Sequence, residues 1–232
     1  MSPAPERQPT PLGDAVAGQP AAAAASRDRG ILLVRGPQDR VQAWARKGLV
    51  TAHVVPLDGW TAVCPVPGPA VAPAGAERER ALELFAGRPV PSRLRPAVGL
   101  YLLGGRAVVT AHPSGRRATP QWLVWQPGDA LVTARPLPAG RLDALALVAG
   151  LPAGAGSDRV ARVLLEPSGS PTDALVDLLT VLELPGQALL DGSVAPVDAA
   201  GAVEVHPSPG AIERFRSVAR EDAHERAELE AR

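Results

Sequence analysis

The sequence predicts an α+β fold: a mostly antiparallel sheet packed against helices, with a more helical second half and a charged C-terminal helix. Three observations carry this expectation. Short apolar runs closed by turn residues recur between residues 31 and 134, segments with apolar residues at helical spacing alternate with them, and from residue 135 onward the helical spacing takes over.

Residues 31–34, Ile-Leu-Leu-Val, form a continuous apolar run stopped by Gly36 and Pro37, as a buried strand ending in a turn does. Residues 38–47 place Val41, Trp44 and Ala45 on one helical face; Pro37 suits the first turn and Gly48 the end. Residues 50–56 and 60–64 read as two strands joined through Leu57, Asp58 and Gly59, where the Asp-Gly step favours a tight hairpin. A loop rich in Pro, Gly and Ala over 65–75 leads into a helix at 77–86, apolar through Ala81, Leu82, Leu84 and Phe85 and stopped by Gly87. Residues 97–103 and 106–111 make the clearest hairpin, because Gly104 and Gly105 accept the positive φ of a two-residue turn. The first six elements have the order of a ferredoxin-like split β-α-β unit, a likeness of element order alone. One more hairpin, 121–126 with 129–134, turns at Pro127 and Gly128.

The second half begins with a helix at 141–148, followed by 159–165, which fits either a strand or a helix. Residues 173–184 carry the best helical signature: Pro171 and Thr172 supply a start with an N-cap, Asp173 and Asp177 lie toward the positive end of the dipole, and Pro185 and Gly186 end it. Leu175, Val176, Leu178, Leu179 and Leu182 make this helix apolar on more than one side, which marks it as buried or as an interface. A strand at 202–206 precedes a charged helix in which Ile212, Phe215 and Val218 form an apolar stripe over the first turns. Its first half is expected to dock and its second half to extend into solvent or against a second subunit. The chain therefore divides into a disordered tail at 1–29, a strand-rich part at 30–134, a more helical part at 135–208 that is either a second domain or the same one, and the helix at 209–232.

Composition removes several classes of function. One lysine stands against 23 arginines, asparagine is absent, and Ile, Phe and Tyr are scarce, which is the codon bias of a GC-rich, bacterial-type genome. Arginine thus stands in for lysine and does not by itself indicate phosphate recognition. The 24 basic residues balance 24 acidic ones, so the expected partners exclude nucleic acid. Residues 1–29 lack the basic start and apolar stretch of a secretory signal, and no run approaches the ~18 apolar residues of a membrane helix, so no membrane association is expected. The lone Cys64 cannot form an internal disulfide and fits a reducing cytoplasm.

Motifs for chemistry are sparse. The sequence contains no phosphate loop, no nucleophile elbow and no zinc motif, and the glycine-rich stretch 150–156 follows a helix and contains Pro152, so it reads as a linker rather than a dinucleotide loop. No cofactor and no metal are expected. One repeated tripeptide stands out: His112-Pro113-Ser114 and His206-Pro207-Ser208 each follow a predicted strand. If the two strand ends converge, one histidine could act as general base beside Ser114, with Arg116 and Arg117 holding an anion. The plainer reading is that Pro and Ser end strands. His53 and His224 join no constellation. Trp122 and Trp125 lie three residues apart in a strand and so point to opposite faces; one of them could line a pocket or a dimer contact.

These features favour a non-catalytic cytoplasmic binding or interaction protein that acts through a sheet face or through the helices near Leu175 and Phe215, with a protein partner or a second copy of itself. The alternative is an enzyme that handles a small anionic substrate through the His112 and His206 region.

Overall fold

The structure is a computed structural model that describes residues 28–66, 78–115, 118–133, 137–152, 154–166 and 169–230. The expected tail lies outside the described residues up to residue 27, and the first strand begins at Arg29.

Among the described residues, eight strands form one antiparallel sheet in the order β7-β6-β5-β4-β1-β3-β2-β8. The strands are β1 (Arg29–Val34), β2 (Ala52–Leu57), β3 (Trp60–Pro65), β4 (Ala97–Leu103), β5 (Arg106–His112), β6 (Gln121–Gln126), β7 (Ala130–Val132) and β8 (Val203–Val205). The first four realise the split arrangement that their order predicts. β1 and β2 flank β3 and are linked by α1 (Gln38–Ala45); β3 and β4 flank β1 and are linked through α2 (Arg78–Ala86). Gly104 and Gly105 both take positive φ, 53° and 73°, which joins β4 to β5 by the tight turn expected of them.

The sheet is covered on both faces, which is why its central strands are apolar throughout rather than alternating. On one face Leu32, Val34, Val54, Val63 and Tyr101 meet Val41 and Trp44 of α1 and Phe85 of α2. Trp44 and Phe85 meet edge to face at 6.1 Å between ring centroids, and Phe85 meets Tyr101 in the same way at 6.3 Å. The other face presents Ile31, Leu33, Leu100, Val109 and Trp125 to the helices α3 (Leu142–Ala149), α4 (Ala155–Leu164), α5 (Pro171–Val181) and α6 (Gln187–Asp191).

Of the two readings open for 159–165 the helical one holds, over residues 155–164: Val160 and Leu164, four apart, are buried while the arginines remain outside. Two other local features differ from the sequence reading. The glycine-rich stretch is a tight corner between α3 and α4 rather than a linker. Gly150 ends α3 with φ 98°, and a Cβ on Gly156 would lie 2.9 Å from the Ala146 Cβ, so glycine lets the two helices touch. The cap of α5 is Ser170, whose hydroxyl accepts from the Asp173 N–H while the Asp173 carboxylate accepts from the Ser170 N–H; Pro171 follows as the first helical residue. Leu175, Leu178 and Leu179 are fully buried under the sheet, so this helix serves the core.

Both edges of the sheet end in strands of three residues, β7 and β8, and Trp122 on β6 is closed beyond β7 by bonds to residues 138 and 140. Short edges leave few free backbone groups to recruit another strand. After β8, Ser208 donates its N–H to the Arg46 carbonyl at 2.8 Å and accepts from the Ala211 N–H, anchoring the start of α7 (Pro209–Glu230). Ala211 is buried, Ile212 and Phe215 are half-buried, and Val218 is 53% exposed, so burial falls away over the first three turns of the helix. Among the described residues no helix is long and apolar enough to cross a membrane.

Candidate functional site

The helices do not cover the two sheet faces equally. On the α1/α2 side, α1 packs mainly on β2 and β3 and α2 mainly on β4 and β3, and among the described residues no helix makes comparable contact with β5, β6 or β7 on that side. Over this flank lies a groove of about 590 Å³. Val108 of β5 and Trp122 and Val124 of β6 form its floor, Ala86 and Gly87 at the end of α2 form one wall, and Leu103 and Leu137 close the sides. Glu83 and the exposed Arg106 place one charge of each sign at its rim.

The register explains why these side chains meet. Val108 is paired with Val124, and Thr110 with Trp122, so the period of two along each strand lays all four on one face. Trp122 is half-buried there, whereas Trp125, on the opposite face, is 1% exposed and donates its indole N–H to the Glu166 carbonyl at 3.2 Å. Trp125 is thus a core residue and Trp122 a groove residue.

Beside the groove, on the same sheet face, runs a buried polar chain. The Tyr101 hydroxyl is hydrogen-bonded to Thr110, whose Oγ1 lies 3.2 Å from His112 Nε2. Gly99, opposite Thr110 in the register, makes room for it: a Cβ there would fall 2.4 Å from both the Thr110 Oγ1 and the Tyr101 hydroxyl. His112 is 2% exposed, and its Nδ1 has no hydrogen-bond partner. Burial, reinforced by the neighbouring Arg95 guanidinium, holds its pKa down at about 4, so the ring is neutral at ordinary pH. Burial also pushes the Tyr101 hydroxyl up beyond its usual range.

The histidine pair does not assemble. His112 ends β5 on the row of Ala97, Val34, Thr61 and Pro56, whereas His206 follows β8 beyond the row of Val205 and Ala52, at the opposite end of the sheet. Five strand spacings of about 4.8 Å add a lateral separation of about 24 Å. His206 is exposed and lies 3.4 Å from the Thr51 hydroxyl. Ser114 is exposed in the turn after β5, and Arg116 and Arg117 lie outside the described residues. Cys64 faces the α3–α6 core, and its burial raises the thiol pKa to about 12. Among the described residues, no three His, Cys, Asp or Glu side chains gather as a metal ion would require.

The groove was only partly visible in the sequence. The three-residue spacing of the tryptophans places one on each face, but Val108, Val124 and Leu137 read as ordinary apolar positions, and nothing local marks the flank over which the groove lies. Comparison with family models, curated proteins and solved structures gives no match. The functional reading therefore rests on this geometry.

Proposed function

We propose that this chain is a non-catalytic cytoplasmic binding protein whose groove over β5 and β6 receives an apolar segment of a protein partner. The half-buried Trp122 on the groove floor carries the reading, since tryptophan in an apolar hollow with a charged rim is the usual composition of a binding hot spot. From Gly104 to the level of Thr110 the floor extends for about six residues of strand, or about 20 Å, which matches three to four turns of a bound helix. Glu83 and Arg106 at the rim would set the orientation of the segment by charge. The residues that line the groove favour binding over chemistry, because the titratable groups there are rim charges and His112 on the neighbouring row is sealed from solvent.

Panning a random-peptide display library against the purified chain tests this reading. Apolar peptides should be enriched, and Trp122→Ala should weaken them by about 30-fold, the usual cost of removing a hot-spot tryptophan. Peptides that bind Trp122→Ala as well as the native chain, or no enrichment at all, would refute it.

A further inference from the structure

We propose that the chain holds a second binding site, a pocket between the end of α1 and the end of α2 that takes a small carboxylic acid with an apolar body. The pocket has a volume of about 320 Å³, at the lower end of what small-molecule sites occupy. Val50, Leu84 and Phe85 supply apolar walls, and Lys47 and Arg88 are the charged residues that border it. No carboxylate lines it, and none of the ion pairs among the described residues includes either cation. Gly87 alone is shared with the lining of the groove over β5 and β6, so the two sites are separate hollows on either side of one residue.

Arg88 is the anchor of the pocket. Its guanidinium lies over the Trp44 ring, 3.9 Å from the centroid, and donates to the Trp44 and Ala45 carbonyls at the end of α1. A Cβ on Gly48 would fall 2.4 Å from its Nη1, so glycine at this point of the pocket wall makes room for the guanidinium. The side chain is thus held in place before any ligand arrives, which lowers the entropy cost of binding. Bracing α1 does not account for the arrangement, because the two carbonyls already accept the N–H groups of Lys47 and Gly48. They occupy two of the five N–H donors of the guanidinium and offer it dipoles, not a counter-charge. Burial accordingly lowers the Arg88 pKa to about 10, as expected of a cation that has lost water and gained no carboxylate in return.

The same features select the ligand. A planar guanidinium with donors to spare matches a carboxylate, which it grips through two parallel bonds, and the exposed Lys47 adds a second positive charge at the solvent side. A polyphosphate would need more donors than two side chains provide, and the apolar remainder of the wall would desolvate its further charges without partners. The volume suits one aromatic or branched aliphatic acid, whereas an α-helix, about 10 Å across, does not fit.

Backbone amide chemical shifts of the isotopically labelled full chain, titrated with 3-phenylpropionate and with the neutral 3-phenylpropanamide, test the site. The acid should give saturable shifts at residues 47–50 and 84–88, and the amide should bind about tenfold more weakly, because it brings no charge to Arg88. Arg88→Gln should abolish binding of the acid. Leu84→Glu makes the same point where the fold is not at stake, since this side chain is already 39% exposed: the added carboxylate should weaken the acid by about tenfold while the unfolding midpoint stays put. Shifts that never saturate, shifts gathered instead around Val108 and Trp122, equal binding of the amide, or undiminished binding to Leu84→Glu would each overturn the proposal. So would tighter binding of a short peptide ending in a free phenylalanine carboxylate, which would assign the pocket to a chain terminus.

Discussion

Acidification should destabilise this protein through a single buried imidazole. The folded-state pKa of His112 is depressed from 6.5 to about 4, chiefly by burial and secondarily by Arg95. In the unfolded chain the ring takes up its proton near pH 6.5, whereas in the folded protein it resists until about pH 4. The unfolded state therefore binds more protons throughout that window, and stability falls as pH drops from 6.5 to 4. The depression of about 2.5 units corresponds to about 3 kcal/mol, a large share of the 5–15 kcal/mol typical of a folded domain. Chemical denaturation between about pH 7 and about pH 4 measures it, with His112→Gln as the reference, since glutamine keeps a donor toward Thr110 without a titrating ring. The lowered carboxylates Asp143, Asp173 and Asp191 lie elsewhere and cancel in the comparison. The native curve should lose about 3 kcal/mol more than the variant over this range. Parallel curves would refute the buried, neutral assignment of His112.

Two further outcomes follow from the interior. Gly99→Ala should lower stability by about 2–3 kcal/mol in thermal or chemical unfolding, because its Cβ would press on Thr110 and Tyr101 at 2.4 Å, where neither can retreat into solvent; an unchanged midpoint would show that the polar chain is loosely packed. Cys64 should resist an aromatic disulfide reagent in the native protein at neutral pH and react at once on unfolding, since its pKa near 12 and its burial deny the reagent a thiolate; rapid native labelling would contradict that packing.

Local chemistry was legible in the sequence, and long-range pairing was not. The Asp58-Gly59 and Gly104-Gly105 turns and the α5 segment follow from residues close together in the chain, where turn conformation and periodicity dictate the outcome. α4 was ambiguous because Arg159 to Leu165 mixes apolar and basic residues in a pattern that suits both periods, and the tertiary contact of Val160 and Leu164 decides it. α6, at five residues, is too short to produce a periodic signal. The convergence imagined for His112 and His206 failed for a related reason: each strand end was placed correctly near its histidine, but β8 pairs with β2 and not near β5, and no local rule states that. Likewise the two tryptophans separate onto opposite faces by simple geometry, while only the placement of α1 and α2 determines which of them remains half-covered.

The two-sided sheet also has a consequence for the order in which the chain is made. β1 to β7 are complete once residue 132 has left the ribosome, and α1 and α2 can then close over one side. Leu33, Leu100, Val109 and Trp125, on the other side, await helices that begin only at Leu142 and end at Asp191, and the open flank of β2 waits still longer, for Val203. At the 5–20 residues per second typical of synthesis, this apolar surface stays uncovered for several seconds. During that interval the nascent chain displays the kind of surface that chaperones recognise, so this protein is expected to depend on protection while it is being born more than its finished, well-covered sheet implies.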